Sequence, residues 1–451
     1  MIKFFKKYHK WLGLILTVFI LLFSVSGIIL NHRVLFSGID IDRKYLPQDY
    51  HYTNWNNAAV KGTEKINNDS ILIYGNIGVW LTDSSFSRFN DFNAGFSKGI
   101  DNRKISKIFK NSRGDLFAAS LFGLFQYDYN KNVWQKVTLP IDKERIVDIA
   151  EKGDTLLVLS RSELLKSTDY LHFAKSNLPE PENYANKTGL FKTLWMIHSG
   201  EIYGIAGKLF VDIIGLIFIF LSITGFIYFM NPYAIKRKKK KQKEIQAIKK
   251  SSKWNLKWHN KIGWITVVFL IITTITGMFL RPPLLIPIAN TKVDKIPYTI
   301  LDSENPWFDK LRRIIYDEKN DRYNIATLAG IYYSDDNFSS KLNKYKTQPP
   351  LSVMGVNVFE PIDTNNNLIG SFEGLYKWNT QTGFIQNYIS KQEHKETKRR
   401  SAPFGSNVVT GYSKHFKGKE VYFDYNSGVN LIGDGHFVAM PLVIKHQPLS
   451  L

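Results

Sequence analysis

The chain has 451 residues, a formal net charge of +21 and no cysteine. Its length allows two to four domains, and the missing cysteine excludes disulfides, zinc–thiolate sites and thiol catalysis. The charge does not mark a nucleic-acid face: it is concentrated beside apolar runs, with Lys3, Lys6, Lys7 and Lys10 at the start and eleven lysines and arginines against Glu244 within residues 236–257. The positive-inside rule puts such clusters in the cytoplasm, so the expected partner is a lipid bilayer and no nucleic acid.

The first element, residues 1–33, reads as transmembrane helix 1. Residues 11–30 are uncharged, too long for a signal-peptide core, and Asn31-His32-Arg33 is a poor cleavage site. A retained anchor with a cytoplasmic N-terminus is expected.

Residues 34–190 hold no spanning run. Three segments share an apolar strand, a tight turn and a second strand: 71–80, 116–125 and 156–165. Their turns, at Gly78, Gly123 and Glu163, are 45 and 40 residues apart. That spacing suits one four-stranded propeller blade per repeat. Residues 191–232 read as transmembrane helix 2, ended by Asn231-Pro232. Residues 233–258 form a basic cytoplasmic loop, partly helical, and 259–283 form transmembrane helix 3. In residues 284–451 the strand–turn–strand unit returns at Gly330 and Gly374, 44 residues apart, with a weaker copy at Gly428. Residues 437–444 read as a last strand. The expected fold class is an α-helical membrane protein with three transmembrane helices and a large all-β extracytoplasmic domain. That domain is read as a six-bladed propeller whose halves, 34–190 and 284–451, are split in sequence by helices 2 and 3.

Two stretches are near copies. His9-Lys-Trp-Leu-Gly13 leads into an apolar run to Gly27, and His259-Asn-Lys-Ile-Gly263 leads into one to Gly277, at a constant offset of 250. His32 closes helix 1 and His198 precedes helix 2. Neighbouring helices could therefore present one imidazole pair at each membrane face, which is a way to hold haem or a transition metal. A structural role at the interface is the alternative for each histidine. A glycine one turn from the histidine leaves room for a flat macrocycle or for close helix packing. Ser26-Gly27, Thr224-Gly225 and Thr276-Gly277 read as helix–helix contacts. Asp212 is an intramembrane carboxylate, either functional or paired with Lys208 four residues before it. His394, His415 and His436 fall in loops without ligand-like spacing. Phosphate-binding, zinc-protease, serine-hydrolase and dinucleotide motifs are absent from the sequence.

The helices resemble the PepSY-associated transmembrane family of bacterial inner-membrane proteins. The resemblance rests on Tyr8-His9-Lys-Trp-Leu-Gly13-Leu, on Ser26-Gly27, on His198-Ser-Gly with Gly207-Lys-Leu-Phe-Val-Asp212-Ile-Ile-Gly215 and Thr224-Gly225, and on Trp258-His259-Asn-Lys-Ile-Gly263. It implies a multi-pass protein of the bacterial inner membrane, similar to haem-containing ferric-siderophore reductases linked to iron uptake. It carries His9, His259, His32 and His198 over as haem-iron ligands, with haem b as the cofactor. The expected function is electron transfer to a ferric siderophore or another extracytoplasmic acceptor. The other reading is a membrane-anchored propeller that senses or scaffolds a periplasmic partner without redox activity. His9 and His32 are 23 residues apart, about 35 Å along a helix, so haems at both ends would be too far apart for direct exchange.

Overall fold

The computed structural model describes residues 2–141, 145–394, 405–433 and 447–450. The strand expected at 437–444, and His436, lie outside the described residues. The chain divides into two compact units: residues 1–36 with 186–303, and residues 37–185 with 304–451.

The first unit is helical. Its helices are α1 (Ile2–Asn31), α2 (Arg33–Phe36), α3 (Leu190–Ser199), α4 (Gly204–Lys240), α5 (Gln246–Met278) and α6 (Leu285–Ile288). Three of them, α1, α4 and α5, are long and apolar enough to cross a membrane. Their outward side chains are the large apolar ones: Val18 is 69% exposed and Trp264 80%. A face of that kind needs lipid or a partner to cover it. Both α1 and α5 pack on α4. Trp11 meets Phe229 edge-on at 5.4 Å, and Phe210 meets Phe269 at 5.0 Å. Small residues set the approach: a Cβ on Gly215 would lie 3.3 Å from Ile28 of α1. The turn from α3 to α4 rests on Gly200, whose left-handed backbone (φ 75°) ends α3 with its N–H on the Ile197 carbonyl. Pro232 does not end its helix. Helix α4 runs through it to Lys240, and α5 starts at Gln246, so most of the basic loop is helical. Lysine and arginine are good helix formers, which helps offset the single lost backbone bond.

In the second unit each of the six strand–turn–strand segments is a β-hairpin. In every case a further strand precedes it: Val60–Lys65, Ile105–Lys110, Ile146–Lys152, Leu311–Asp317, Val356–Pro361 and Val409–Phe416. Each first strand carries a bulge at its second residue, where the register slips past Lys61, Ser106, Val147, Arg312, Asn357 and Thr410.

The six-bladed propeller expected from the repeat spacing is not what the strands form. Among the described residues there are four separate four-stranded sheets and one seven-stranded sheet, besides two-stranded pairs. Among the described residues no sheet closes on itself. The units counted as first and last belong to one sheet, because Val60–Lys65 pairs in parallel with Val409–Phe416 through Gly62 and Tyr412. Glycines permit that approach: a Cβ on Gly411 would lie 2.6 Å from the Lys61 backbone. The two sequence halves thus share a sheet, and spacing alone overcounted the units.

Apolar layers between the sheets form the core, with Trp55, Trp134, Trp307 and Trp378 fully buried. One buried cation ties four sheets together. Arg313 donates from Nη1 to the Ser106 and Val147 carbonyls at 3.2 and 3.0 Å, and from Nη2 to the Asn357 carbonyl at 2.7 Å. Asp148 balances its charge at 3.4 Å and accepts the Ile314 N–H at 2.9 Å. A buried guanidinium without such partners would be strongly destabilising.

Candidate functional site

The four helix-end histidines lie in the helical unit, and the structure treats its two ends differently. At one end His9 of α1 and His259 of α5 come together, with ring centroids 6.1 Å apart and planes inclined by 61°. The neighbour helix α4 supplies a seat for His259. Its Nδ1 lies 3.1 Å from Thr224 Oγ1, and that hydroxyl donates to the Phe220 carbonyl at 2.8 Å. With its hydrogen so engaged, the threonine oxygen accepts from Nδ1–H. A neutral imidazole then has its lone pair on Nε2. Gly225 lies beneath the ring, and a Cβ there would come 3.3 Å from Cε1.

At the other end His198 of α3 sits on α5 in a matching way. Its Nδ1 is 3.0 Å from the Thr273 carbonyl and 3.3 Å from Thr276 Oγ1. A carbonyl only accepts, so Nδ1 again carries the hydrogen. A Cβ on Gly277 would lie 2.9 Å from its Cε1. No second imidazole joins it among the described residues. Instead His32 Nε2 is 2.6 Å from Asp212 Oδ2. Asn31 completes the group, donating to Asp212 Oδ1 and to the Ser199 carbonyl, both at 3.1 Å.

Asp212 therefore does not pair with Lys208, which reaches Glu201 at 3.3 Å. The Thr–Gly steps read as helix packing are imidazole seats as well. Their repetition, Thr224-Gly225 and Thr276-Gly277, was the signal for this. Ser26-Gly27 has no such neighbour, since a Cβ on Gly27 would meet nothing within 4 Å. Among the described residues no group of three or more His, Cys, Asp or Glu is placed to hold a metal ion. Of the two imidazole pairs expected, one at each membrane face, His9 and His259 come together while His32 and His198 do not, and among the described residues no metal-holding cluster supports the expected role in iron uptake.

The His9–His259 pair passes a simpler test. Two imidazole nitrogens on one metal atom lie about 4 Å apart, from bonds of about 2 Å each. Rings 6.1 Å apart at their centroids, one of them with Nε2 free of Nδ1's hydrogen bond, suit that span. The His32–Asp212 ion pair does not, because it uses His32 Nε2.

A family profile described as the PepSY-associated TM region matches residues 2–231. No curated protein sequence matches. Among solved structures, the extracellular domain of a protein described as a hybrid two component system from B. thetaiotaomicron is 10% identical, with a TM-score of 0.40 over 84% of this chain and 40% of that one. A structural genomics protein of unknown function from Bacteroides thetaiotaomicron is 9% identical, with a TM-score of 0.39 over 87% and 71%. PorZ, a surface component of the type-IX secretion system of Porphyromonas gingivalis, is 11% identical, with a TM-score of 0.34 over 86% and 33%. The chain thus spans less than half of the first of these, and likenesses at this level carry no argument about activity.

Proposed function

The chain belongs to the family of the PepSY-associated TM region, and from that premise we propose that it is a multi-pass membrane protein that holds haem b between His9 and His259 and passes electrons outward. The observation that supports this most directly is the meeting of those two imidazoles at 6.1 Å, with Thr224 fixing the tautomer of one. The lysine clusters at 3–10 and 236–257 favour, by the positive-inside rule, a cytoplasmic position for this end of the helices and an extracytoplasmic one for the β-rich unit.

In this reading α1 and α5 each bring one axial imidazole. Thr224 holds the His259 ring in place and keeps Nε2 available. Gly225 keeps the space beside that ring clear. Lys10, whose ammonium lies 4.9 Å over the Phe229 ring, is a cation for a propionate near the interface. With no cysteine in the chain, thioether attachment of a c-type haem is excluded, which agrees with haem b as the expected cofactor. When bound, it supplies reversible one-electron chemistry, while the protein supplies ligands, burial and orientation. His32, committed to Asp212, is outside this pair. The acceptor would be extracytoplasmic, and a ferric siderophore is the class the family resemblance implies.

The test is the visible spectrum of the purified full-length protein. A reduced-minus-oxidised haem difference band is expected. His9→Gln and His259→Gln should each abolish that band while membrane insertion is kept, and the double variant should lose nothing further. Full haem content in both single variants, or a colourless and folded wild type, would end the proposal. The chain would then be a membrane anchor for its β-rich unit.

A further inference from the structure

The end of the helical unit that carries His9 and His259 also carries charge that electron transfer does not use. Helix α4 has 37 residues and α5 has 33, about 55 and 50 Å of helix. A hydrocarbon core is only about 30 Å thick. Both helices therefore continue past the apolar layer as adjoining arms, α4 through Lys236 to Lys240 and α5 from Gln246 onward. Eleven lysines and arginines lie on these arms and the turn between them, residues 236–257. Lys238 is half-buried and the other ten are exposed.

Among the described residues none of the eleven makes an ion pair or a side-chain hydrogen bond. Glu244, the one acid of the stretch, is exposed and equally unpaired. Lysines of the β-rich unit behave otherwise: Lys152 reaches Asp321 and Lys341 reaches Glu180, both at 2.6 Å. Helix stability does not account for the charge on both arms. Arg237 to Lys240 fill the last turn of α4, where the macrodipole favours cations. In α5, Lys249 and Lys250 come at the opposite pole of the helix, directly after a first turn without an acid, where the dipole opposes them. What the two arms share is their level in the membrane.

The aromatic side chains mark that level. Tyr233 of α4 is 52% exposed and Trp254 of α5 51%. Trp258 lies 6.4 Å from Trp254, with the Lys261 ammonium 5.2 Å over its ring. Exposed Tyr and Trp at helix ends sit among lipid headgroups. Lys236 to Lys240 follow Tyr233 by three to seven residues, about 5–11 Å along the helix. Lys253 and Lys257 flank Trp254 directly. Salt screens charge over about 8 Å under physiological conditions, so most of these cations feel the phosphates of the headgroup layer. A soluble polyanion would have to compete with that layer for them.

We propose that the two arms form a docking surface for anionic phospholipid headgroups, which they select over zwitterionic ones in the leaflet they meet. One lysine or arginine near an anionic surface corresponds to about a fivefold preference. The surface rests on α1, α4 and α5 spanning a bilayer and not on the haem, so a missing haem band leaves it standing.

The experiment reconstitutes the full-length protein in phosphatidylcholine vesicles with a trace of spin-labelled phosphatidylglycerol or spin-labelled phosphatidylcholine. Electron spin resonance reads the fraction of each label immobilised by the protein. The anionic label should be preferred about fivefold or more at low salt, and the preference should fall toward unity in 1 M NaCl, where screening acts over about 3 Å. Replacing chloride by inorganic phosphate at constant ionic strength should change nothing, because the partner is the headgroup layer. Lys238→Gln, Lys239→Gln, Lys240→Gln and Lys241→Gln combined should lower the preference at least about twofold. Lys98→Gln with Lys346→Gln, at exposed lysines of the β-rich unit, should leave it unchanged. Equal immobilisation of the two labels by the wild type, an undiminished preference in the fourfold variant, or its loss in phosphate would overturn the proposal. If the fourfold variant does not insert, a preference that survives 1 M NaCl overturns it instead.

Discussion

The two ends of the helical unit are built from one device and used differently. His259 sits on Thr224-Gly225 of α4, and His198 sits on Thr276-Gly277 of α5. In both, a neighbouring helix takes the Nδ1 hydrogen and a glycine makes room for the ring. The difference lies in what faces the seated imidazole. At one end it is a second imidazole, His9. At the other, the histidine that could have matched it, His32, is bound by Asp212. A carboxylate one helix away is enough to turn a potential ligand into half of an ion pair. The tethered Nδ1 leaves the lone pair of a neutral imidazole on Nε2, and what faces that nitrogen differs between the two ends.

The strongest way to sharpen this contrast is to free His32. Asp212→Ala removes a 2.6 Å ion pair and an Asn31 hydrogen bond together. A charged hydrogen bond contributes roughly 1.5–3 kcal/mol, so thermal unfolding in detergent should shift down by about that much. Haem content should stay at the wild-type level, because the pair that would hold it is at the other end. Loss of haem in Asp212→Ala would mean that the outer end takes part in binding.

The sequence showed one side of this comparison well. The repeated His-x-x-x-Gly stretches and the uncharged runs after them are local, and they placed three spanning helices and two of the meeting histidines. The partner of Asp212 was not legible. Lys208, four residues away, was the local choice, while the true partner, His32, is 180 residues away. The seats were hidden for the same reason: Thr224 and His259 are 35 residues apart, and a Thr–Gly step looks alike whether it packs a helix or holds a ring. In the β-rich unit the hairpins were visible as apolar strands around Gly or Glu turns, but how many sheets they make was not. The first and last units join through Gly62 and Gly411, whose small size gave no sign of a shared sheet.

A smaller effect is expected from loosening one seat without touching either ligand. Thr224→Val keeps the volume of the side chain and removes the acceptor for His259 Nδ1. Removing a partner that orients a metal-bound histidine costs about 10–100-fold in affinity, which is about 1.4–2.8 kcal/mol. Haem titration of the purified variant should show a drop within that range, and Thr224→Ser should recover most of it. An unchanged affinity in Thr224→Val would leave the threonine as helix packing only.

The smallest effect concerns the glycines and separates seats from ordinary helix positions. In an exposed helix, Gly→Ala stabilises by up to about 1 kcal/mol. Gly27→Ala should show that gain, since nothing lies within 4 Å of its added methyl. Gly277→Ala places a methyl 2.9 Å from His198 Cε1 and 3.3 Å from Nδ1. That ring cannot swing away without losing the Thr273 carbonyl, its 3.0 Å acceptor. Overpacking of this kind costs about 1–3 kcal/mol, so the propensity gain is cancelled or reversed. Gly225→Ala, whose methyl would be 3.3 Å from His259, should fall between the two. Thermal unfolding of the three variants should therefore rank Gly27→Ala above Gly225→Ala above Gly277→Ala. Equal melting temperatures would show that the imidazoles are not seated on these glycines, and the likeness between the two ends would rest on the threonines alone.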